Sequence, residues 1–193
     1  MKQQIILASS SPRRKELLKQ IGLDFKIMPS DYEEDMTMKM SHKKLAKVLA
    51  YGKAKDVADK IKIGVVIGTD TFLVFGDKRI GKPKDKKDAK KTLSLLSGKT
   101  LRIYSGIAII DIKNNKEITD VEITKVKFKK LNKKEIDGYI KTKEPLGKAG
   151  AFGIQGIGAV FIEKIDGCYS NVVGLPLFNL YKNLNKLNID IFS

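Results

Sequence analysis

Two long strand-like segments in the second half of the chain constrain the fold most. Leu101–Ile112 and Glu117–Lys130 are joined near Asn114-Asn115, and their length and composition predict an antiparallel pair. In the second segment the apolar alternation changes phase at Thr124–Lys125, which predicts a β-bulge or a sharp twist there. Any fold for this chain therefore contains a long hairpin.

The other segments alternate between strand and helix patterns. Strands are predicted at Gln4–Ala8, Phe25–Met28, Gly64–Gly68, Phe72–Phe75, Lys78–Ile80 and Ala159–Ile165, and helices at Pro12 to about Ile21, Ser41–Lys60, Asp85–Leu96, Lys133–Lys141 and Pro176 to about Leu187. This alternation predicts an α/β domain with a mixed sheet. No repeat or linker divides the 193 residues, so residues 1–193 are assigned to one domain, large enough for two small lobes that share a groove.

The cysteine and histidine counts limit the chemistry. Cys168 and His42 are the only residues of their types, which excludes an intrachain disulfide, a Cys-based zinc site and a His-rich metal cluster. Any metal must be bound by oxygen ligands, which points to Mg²⁺ or Mn²⁺. No apolar run approaches the ~20 residues that a bilayer crossing needs. We therefore expect a cytoplasmic protein.

The net charge of +16 has two interpretations. An anionic partner would explain it, such as nucleic acid, a phosphorylated small molecule or a membrane surface. We attribute most of the charge to base composition, because the sequence holds four arginines among 38 basic residues and is rich in isoleucine, as expected from an AT-rich genome. Two of those arginines, Arg13 and Arg14, are adjacent and need a separate explanation.

The first candidate site lies between the first predicted strand and helix. Ser9-Ser10-Ser11-Pro12 leads into Arg13 and Arg14, with Ser11 as the predicted N-cap. Free N–H groups and the positive end of the helix dipole favour anions at such a position, and arginine matches phosphate oxygens bidentately. The alternative is an ordinary helix start with two solvated arginines.

A second candidate, Asp70, follows the predicted strand Gly64–Gly68. If that strand and the first strand are parallel, Asp70 and Arg13 face one crevice at the carboxyl ends of the strands. A carboxylate there can bind a metal or accept a proton from water, although an aspartate in a turn that bonds its own backbone would look the same in sequence.

Three further segments carry charge in unusual settings. Lys53 falls on the apolar stripe of its predicted helix, with Leu49 and Val57 four residues away on either side, so it must extend to solvent or meet an anion. Lys82, between Gly81 and Pro83, is a candidate phosphate ligand or a plain surface lysine. Glu33-Glu34-Asp35 is either a group of metal ligands or solvated charge.

The glycine-rich loop Gly147–Gly158 completes the set. Its spacing is not that of a dinucleotide fingerprint, but glycine allows close approach to a ligand, and the Gln155 amide can pair with a base edge. A structural tight turn is the alternative. Together these residues predict a site that binds and cleaves a nucleotide polyphosphate with a divalent ion.

The motifs also resemble a known family, the Maf-type nucleotide pyrophosphatases or septum formation proteins. The resemblance starts with Ala8-Ser-Ser-Ser-Pro-Arg-Arg-Lys-Glu-Leu-Leu18. It continues, in order, through Glu33-Glu34, Lys53-Ala54, Gly68-Thr-Asp-Thr71, Gly81-Lys-Pro83, Lys148-Ala-Gly-Ala-Phe-Gly-Ile-Gln-Gly156 and Val172-Val-Gly-Leu-Pro176. It implies an elongated mixed sheet flanked by helices, like that of inosine-triphosphate pyrophosphatases, with a central groove between lobes. The implied reaction hydrolyses a nucleoside triphosphate to the monophosphate and pyrophosphate.

The resemblance also implies roles for individual residues. Asp70 would be the proton acceptor, and Arg13, Thr71 and Gln155 match the positions that set nucleotide choice, in the form typical of the branch acting on dTTP and UTP rather than on 7-methyl-GTP. One departure is Gly147, where the family usually carries an acidic residue before Lys148.

Our working hypothesis is a metal-assisted dTTP/UTP pyrophosphatase, with a nucleoside triphosphate as its partner and no specific nucleic acid or membrane. Asp70 and Glu34 would hold Mg²⁺ or Mn²⁺, and Asp70 would be catalytic, with Glu33 or Glu34 open as a second ligand or base. The remaining side chains would bind substrate: Ser9, Arg13, Arg14, Lys53, Thr71, Lys82 and Gln155. The sequence does not fix the oligomeric state, and a homodimer is one open alternative.

The alternative from a different class is a non-catalytic basic protein that binds nucleic acid or regulates cell division. It predicts DNA or RNA binding that weakens steeply with salt. Aromatic residues make up only 7% of the chain and do not interleave with the lysines, which argues against it. A nucleotide-binding module that has lost its activity is a third alternative.

Overall fold

The strands form one mixed sheet in the computed structural model, which describes residues 3–192. The strands are β1 (Ile5–Leu7), β2 (Lys26–Ile27), β3 (Val65–Phe75), β4 (Lys78–Ile80), β5 (Thr100–Asp111), β6 (Lys116–Phe128) and β7 (Ile162–Asp166). Their order is β2-β1-β3-β5-β6-β7, and β4 pairs with β3. The predicted mixed α/β class is thereby confirmed.

Six helices and two short 3₁₀ turns accompany the described strands. The helices are α1 (Pro12–Gln20), α2 (His42–Ala58), α3 (Lys86–Leu96), α4 (Lys133–Lys141), α5 (Tyr169–Val173) and α6 (Leu177–Lys186), and the 3₁₀ turns are Ala149–Ala151 and Ile157–Phe161. Within residues 3–192 no helix has the length and apolar character that crossing a membrane would demand.

The chain divides into two compact units. Of the described residues, 3–71, 104–122 and 174–192 belong to the first unit, and 72–103 and 123–173 belong to the second. The assignment of residues 1–193 to a single domain with a groove between two lobes stays a prediction.

In the first unit β1 lies between two parallel neighbours. Leu7 pairs with Ile27 of β2 and with Ile67 of β3, so the parallel pairing expected of the first and third strands is confirmed. Helix α2 covers part of this sheet, and its Ala50, with other small and β-branched residues of the unit, forms a buried core. The carboxyl end of β1 and the middle of β3 are thus side by side.

In the second unit the core is richer in aromatic rings. Phe128 of β6 meets Phe152 edge to face with ring centroids 4.9 Å apart, and Tyr139 of α4 meets Phe161 in the same way at 4.9 Å. Edge-to-face pairs of this kind stabilise a core beyond the area that they bury. Leu93 and Leu96 of α3 are fully buried in the same cluster.

Most predicted elements are found within a residue or two, and the differences lie at β3, at the start of β7 and at α5. Asp70 does not follow a strand: β3 runs unbroken from Val65 to Phe75 and absorbs the predicted Phe72–Phe75 strand. Residues 157–161 form a 3₁₀ turn before β7 rather than the start of a strand. Against β7 the register of β6 shifts between Lys127 and Phe128, and the irregularity expected at Thr124–Lys125 stays a prediction. Helix α5 was not predicted.

The long hairpin is present as predicted. Only residues 112–115 connect β5 to β6, which are neighbours in the sheet, and a connection this short joins antiparallel strands. The buried carboxylate of Asp111 accepts bonds from the backbone and side-chain nitrogens of Asn114, and Asn115 adopts a positive φ of 49°. Asparagine tolerates that conformation, so the predicted turn residues suit the turn.

Candidate active site

Asp70 is a buried carboxylate in the middle of β3, with 5% of its surface exposed. Its Oδ1 accepts a bond of 2.6 Å from Nζ of Lys53, and the same ammonium lies 2.5 Å from Oε1 of Glu34. The Lys53 side chain is 12% exposed, whereas that of Glu34 is 42% exposed. One lysine therefore joins a buried carboxylate to one that faces solvent.

Two glycines explain how Lys53 of α2 reaches Asp70. A Cβ at Gly68 of β3 would lie 2.3 Å from the carbonyl oxygen of Ala50, and one at Gly106 of β5 would lie 1.9 Å from that of Ala46. Both distances are far inside van der Waals contact, so the helix backbone rests directly on the sheet. Lys53 leaves the helix one turn from Ala50 and meets the carboxylate on the neighbouring strand.

Glu34 belongs to an irregular segment that is fixed to α2 at several points. The Asp56 carboxylate accepts bonds from the Ser30 hydroxyl and the Asp31 backbone N–H, both at 2.9 Å. The ring of Tyr32 lies against Gly52, where a Cβ would be 2.3 Å from the ring. These contacts hold the segment next to Lys53 although Glu34 itself is exposed.

Arg14, in the first turn of α1, is half-buried and makes two bonds within the unit. Its Nη1 donates to the Ser9 hydroxyl at 3.0 Å, and its Nε donates to the Gly174 carbonyl at 3.1 Å. Burial lowers the pKa of Arg14, while the negative charges of Asp70 and Glu34 raise it and offset part of that effect. The guanidinium therefore shares an electrostatic environment with both carboxylates.

The start of α1 has the predicted form but not the predicted cap bond. Ser11 is the N-cap and Pro12 opens the helix, yet no side-chain bond caps it. Instead the backbone N–H of Ser11 donates to the Ser9 hydroxyl at 3.3 Å. Arg13 is exposed. An uncapped helix start with an exposed arginine beside it offers donors to an anion.

Thr71 ties β3 to two further polar groups of the first unit. Its hydroxyl lies 2.6 Å from the hydroxyl of Ser105, which is fully buried, and donates to the Gly174 carbonyl at 3.2 Å. Gly174 has a φ of 132°, which favours glycine. The Gly174 carbonyl oxygen accepts bonds from both Arg14 and Thr71.

Lys82 and Gln155 belong to the second unit, and both are exposed. Their segments are joined inside that unit, because the backbone N–H of Gly150 donates to the Gly81 carbonyl at 3.0 Å. Pro83, next to Lys82, is buried and anchors that segment. The structure therefore brings Ser9, Arg14, Glu34, Lys53, Asp70 and Thr71 together in the first unit and groups Lys82 with Gln155 in the second.

Asp70 and Glu34 are the carboxylates that the sequence predicts as ligands of a divalent cation. Within the described residues no three His, Cys, Asp or Glu side chains form a metal-binding group. Both carboxylates contact one Lys53 nitrogen, at 2.6 and 2.5 Å, and this ammonium supplies the positive charge between them. Mg²⁺ is commonly bound by one or two carboxylates together with substrate phosphates and water, so the pair has the ligand type that such an ion takes, and its binding stays a prediction.

Several of these contacts were not foreseen from the sequence. Ser105, the Gly174 carbonyl and the Tyr32–Gly52 contact carry no local pattern that sets them apart. The position of α2 did have a signal, since Ala46, Ala50 and Ala54 recur every four residues and form the small-residue face that close packing on a sheet requires. Gly147, the one departure from the resemblance, is exposed with a φ of 77° and has open space around it.

The fold and this site define an α/β protein in which lysine and arginine side chains surround a buried carboxylate. Comparison with known families then identifies it: the Maf-like protein family matches residues 4–187, and the chain belongs to that family.

Three relatives match nearly the whole chain. Proteins named dTTP/UTP pyrophosphatase occur in Ruminiclostridium cellulolyticum (49% identical over 190 residues, 98% of each chain), Alkaliphilus oremlandii (51% over 178 residues, 92% of each) and Clostridium botulinum strain 657 (50% over 191 residues, 97% of this chain and 98% of the relative). Among solved structures, the Staphylococcus aureus Ham1 protein is similar with a TM-score of 0.46 and 16% identity, over 65% of this chain and 71% of that one.

Proposed function

We propose that this protein is a nucleoside triphosphate pyrophosphatase that converts dTTP and UTP to the monophosphate and pyrophosphate. The observation that carries the proposal is the buried Asp70 carboxylate, joined to Glu34 through Lys53 and lying within the electrostatic reach of Arg14. The names of relatives about 50% identical over almost the whole chain support the same activity and the same substrates.

Asp70 is the group proposed to orient the attacking water and take its proton. Its Oδ1 is engaged by the Lys53 ammonium at 2.6 Å, and the proposal assigns the water to the other carboxylate oxygen, Oδ2. Glu34 is the second carboxylate, and exposed Glu33 beside it is the alternative base. Mg²⁺ or Mn²⁺ bound by Asp70 and Glu34 would supply charge neutralisation at the phosphates and a more acidic water.

The cationic side chains are proposed to stabilise the charge that develops on the departing pyrophosphate. Arg14 is pre-oriented by its bonds to Ser9 and Gly174, so it loses little freedom when phosphate arrives. Arg13, Lys53 and Lys82 add positive charge, and Ser9 places its hydroxyl beside the uncapped start of α1. Fixed donors of this kind usually supply the largest catalytic effect.

Gln155, Arg13 and Thr71 are proposed to set nucleotide choice. An exposed amide offers both a donor and an acceptor, which is what the edge of thymine or uracil requires. Thr71 is fixed through Ser105 and Gly174, so its contribution acts through a rigid hydroxyl.

The proposal is tested with purified protein and a panel of nucleotides in Mg²⁺ or Mn²⁺, scored for pyrophosphate and monophosphate. We expect dTTP and UTP to be cleaved well ahead of purine nucleotides and 7-methyl-GTP. Absence of pyrophosphate from every nucleotide, together with salt-sensitive DNA or RNA binding, would instead support the non-catalytic alternative.

Replacing Asp70 by Asn tests the assigned base and keeps the side-chain volume. We expect kcat to fall by about 10²–10⁴-fold, the usual contribution of a positioned base, while circular dichroism shows an intact fold. Near-normal turnover by Asp70→Asn would show that another group activates the water. Cytoplasmic location and homodimer formation stay predictions, which cell fractionation and light scattering can test.

A further inference from the structure

The Glu144 carboxylate, which the proposed chemistry does not use, is hydrogen-bonded to the backbone of the loop around Gln155. Glu144 follows α4, and its Oε2 accepts the backbone N–H of Ile157 at 2.9 Å, while its Oε1 accepts that of Gly158 at 3.1 Å. The Tyr139 hydroxyl also donates to Oε1 at 2.9 Å. All of these residues belong to the second unit.

Tyr139 is hydrogen-bonded to the backbone of the same loop on the other side of Gln155. Its hydroxyl donates to Glu144 and accepts the backbone N–H of Gly153 at 3.2 Å. Gln155 therefore lies between Gly153, held by Tyr139, and Ile157, held by Glu144. Its own side chain is exposed, so the backbone on both sides fixes where the amide begins.

The glycines of this loop are explained by the same two side chains. A Cβ at Gly156 would lie 2.6 Å from both Glu144 carboxylate oxygens, and one at Gly158 would lie 2.5 Å from the Tyr139 hydroxyl. A Cβ at Gly153 would come within 3.0 Å of Oε1 of Glu144. The backbone thus approaches the two polar groups more closely than any side chain would allow.

The charge of Glu144 suits this role. Burial raises the pKa of this carboxyl, but the N–H groups of Gly158 and Ile157, the Tyr139 hydroxyl and the nearby Lys148 outweigh it, so that the pKa lies below its ordinary value. Lys148 also donates to the Glu144 backbone carbonyl at 2.8 Å. Burial and the hydrogen bond to Glu144 raise the pKa of Tyr139, so its hydroxyl stays a donor at neutral pH.

We infer that Glu144 and Tyr139 are positioning residues for nucleotide selection, which hold the Gln155 loop in the one conformation that presents its amide to the base. The inference rests on the proposed function, which assigns base selection to Gln155. Neither side chain touches substrate in this scheme. They act by preorganising a residue that does.

The test compares Glu144→Gln and Tyr139→Phe with wild type and with Gln155→Ala. Glu144→Gln keeps the shape but turns an NH₂ group toward backbone donors. We expect the preference for dTTP over dCTP and dGTP, as a ratio of kcat/KM, to fall by roughly tenfold, less than the ~100-fold that a 1 Å misplacement can cost. The loss should appear in KM for dTTP with kcat near wild type, because base contacts form before the reaction.

Glu163→Gln is the matched control, since Glu163 is an exposed carboxylate of the same unit and the substitution is the same. Its selectivity should equal that of wild type. Combining Glu144→Gln with Gln155→Ala should lower selectivity no further than Gln155→Ala alone, because both changes remove one effect. A purely structural role would lower thermal stability and leave the selectivity ratio of the folded enzyme unchanged, which would overturn the inference.

Amide hydrogen exchange gives a readout that needs no activity. The N–H groups of Ile157 and Gly158 should exchange at least tenfold faster in Glu144→Gln than in wild type and at the wild-type rate in Glu163→Gln. If these N–H groups exchanged at the wild-type rate in Glu144→Gln, Glu144 would not hold this loop, whatever the catalytic activity of the variant. A wild-type protein that cleaves no nucleotide refutes the proposed function, and the selectivity role with it, but does not alter the exchange result.

Discussion

Lys53 is the residue on which the chemistry of the first unit depends most. Its ammonium is the shared partner of Asp70 and Glu34, and its side chain is largely buried beside the fully buried Leu49 and Val57. Without it two carboxylates would face each other near an apolar helix face. Like charges so placed disfavour ionisation, and a buried carboxylate without its partner is destabilising.

Replacing Lys53 by Ala should therefore abolish turnover and also lower stability. We expect kcat/KM to fall by at least ~100-fold and the free energy of unfolding by about 1–3 kcal/mol, as for a buried polar group that loses its partner. Urea unfolding and steady-state kinetics measure the two effects.

Lys55→Ala is the matched control on the same helix. Lys55 forms a surface pair with Asp59 at 2.5 Å, and both side chains are about half exposed. Exposed pairs contribute about 0–1 kcal/mol, so this variant should keep its activity and nearly all of its stability. If both lysine variants behaved alike, the special role of Lys53 would have to be abandoned.

At the scale of elements, the packing of α2 on β3 and β5 sets the site. Gly68→Ala would place a methyl group 2.3 Å from the Ala50 carbonyl and 2.6 Å from the Ala54 nitrogen, both of them backbone atoms of a helix that cannot yield locally. The helix must move away, and Lys53 moves with it.

We expect Gly68→Ala to lose about 1–3 kcal/mol of stability, as overpacked cores do, and to lose activity beyond that effect. Gly138→Ala, in α4 with open space around it, is the control and should gain roughly 0.5–1 kcal/mol from helix propensity. Thermal unfolding of both variants, with dTTP turnover at a temperature where both are folded, separates the two effects. Full activity in a stably folded Gly68→Ala protein would contradict this account.

Gly68 also shows why some elements could be predicted and others could not. Gly68-Thr-Asp-Thr71 has the composition of a turn, yet β3 passes through it, and its glycine leaves room for the close approach of α2, a tertiary contact that local sequence does not show. Ala159–Phe161 has a strand-like sequence but forms a 3₁₀ turn, held at its start by Glu144. Helices whose ends are set by local sequence, such as α4 with its capping box at Asn132 and Glu135, were predicted closely.

The candidate site divides in the same way. Lys53 was predictable because a lysine on an apolar stripe needs an anion, and the structure supplies two. The bonds of Arg14 and Thr71 to Gly174 join residues more than 100 positions apart and leave no trace in local sequence. Glu144 could not be predicted, because in the sequence a carboxylate that binds backbone N–H groups looks the same as any surface glutamate.

For the whole molecule, the carboxylates with lowered pKa values contribute to the loss of stability in acid. Hydrogen bonds hold the pKa of Asp56, Glu135 and Asp137 below the ordinary values of 3.8 for Asp and 4.5 for Glu, and Glu144 shares that direction. A lowered pKa contributes stability at pH values above the ordinary one, and that contribution is lost as the pH falls through the lowered value.

We therefore expect the free energy of unfolding to be steady between pH 6 and 7 and to fall as the pH drops below about 4.5. The net charge of +16 at pH 7 grows as carboxylates take up protons, so self-repulsion steepens the fall. Urea unfolding from pH 7 to 3, at low and high salt, measures both effects, and added salt should restore part of the loss. Stability that rose toward pH 3 would contradict the assigned directions.

The close packing of α2 on β3 and β5 has an evolutionary consequence. The Lys53 side chain has a limited reach, and its ammonium contacts Asp70 only because α2 packs so close to β3. Bulkier replacements at Ala46, Ala50, Ala54, Gly68 or Gly106 would increase the distance between α2 and the sheet, which the Lys53 side chain must bridge. Selection for catalysis would thus act on five positions that the scheme above keeps out of contact with the nucleotide.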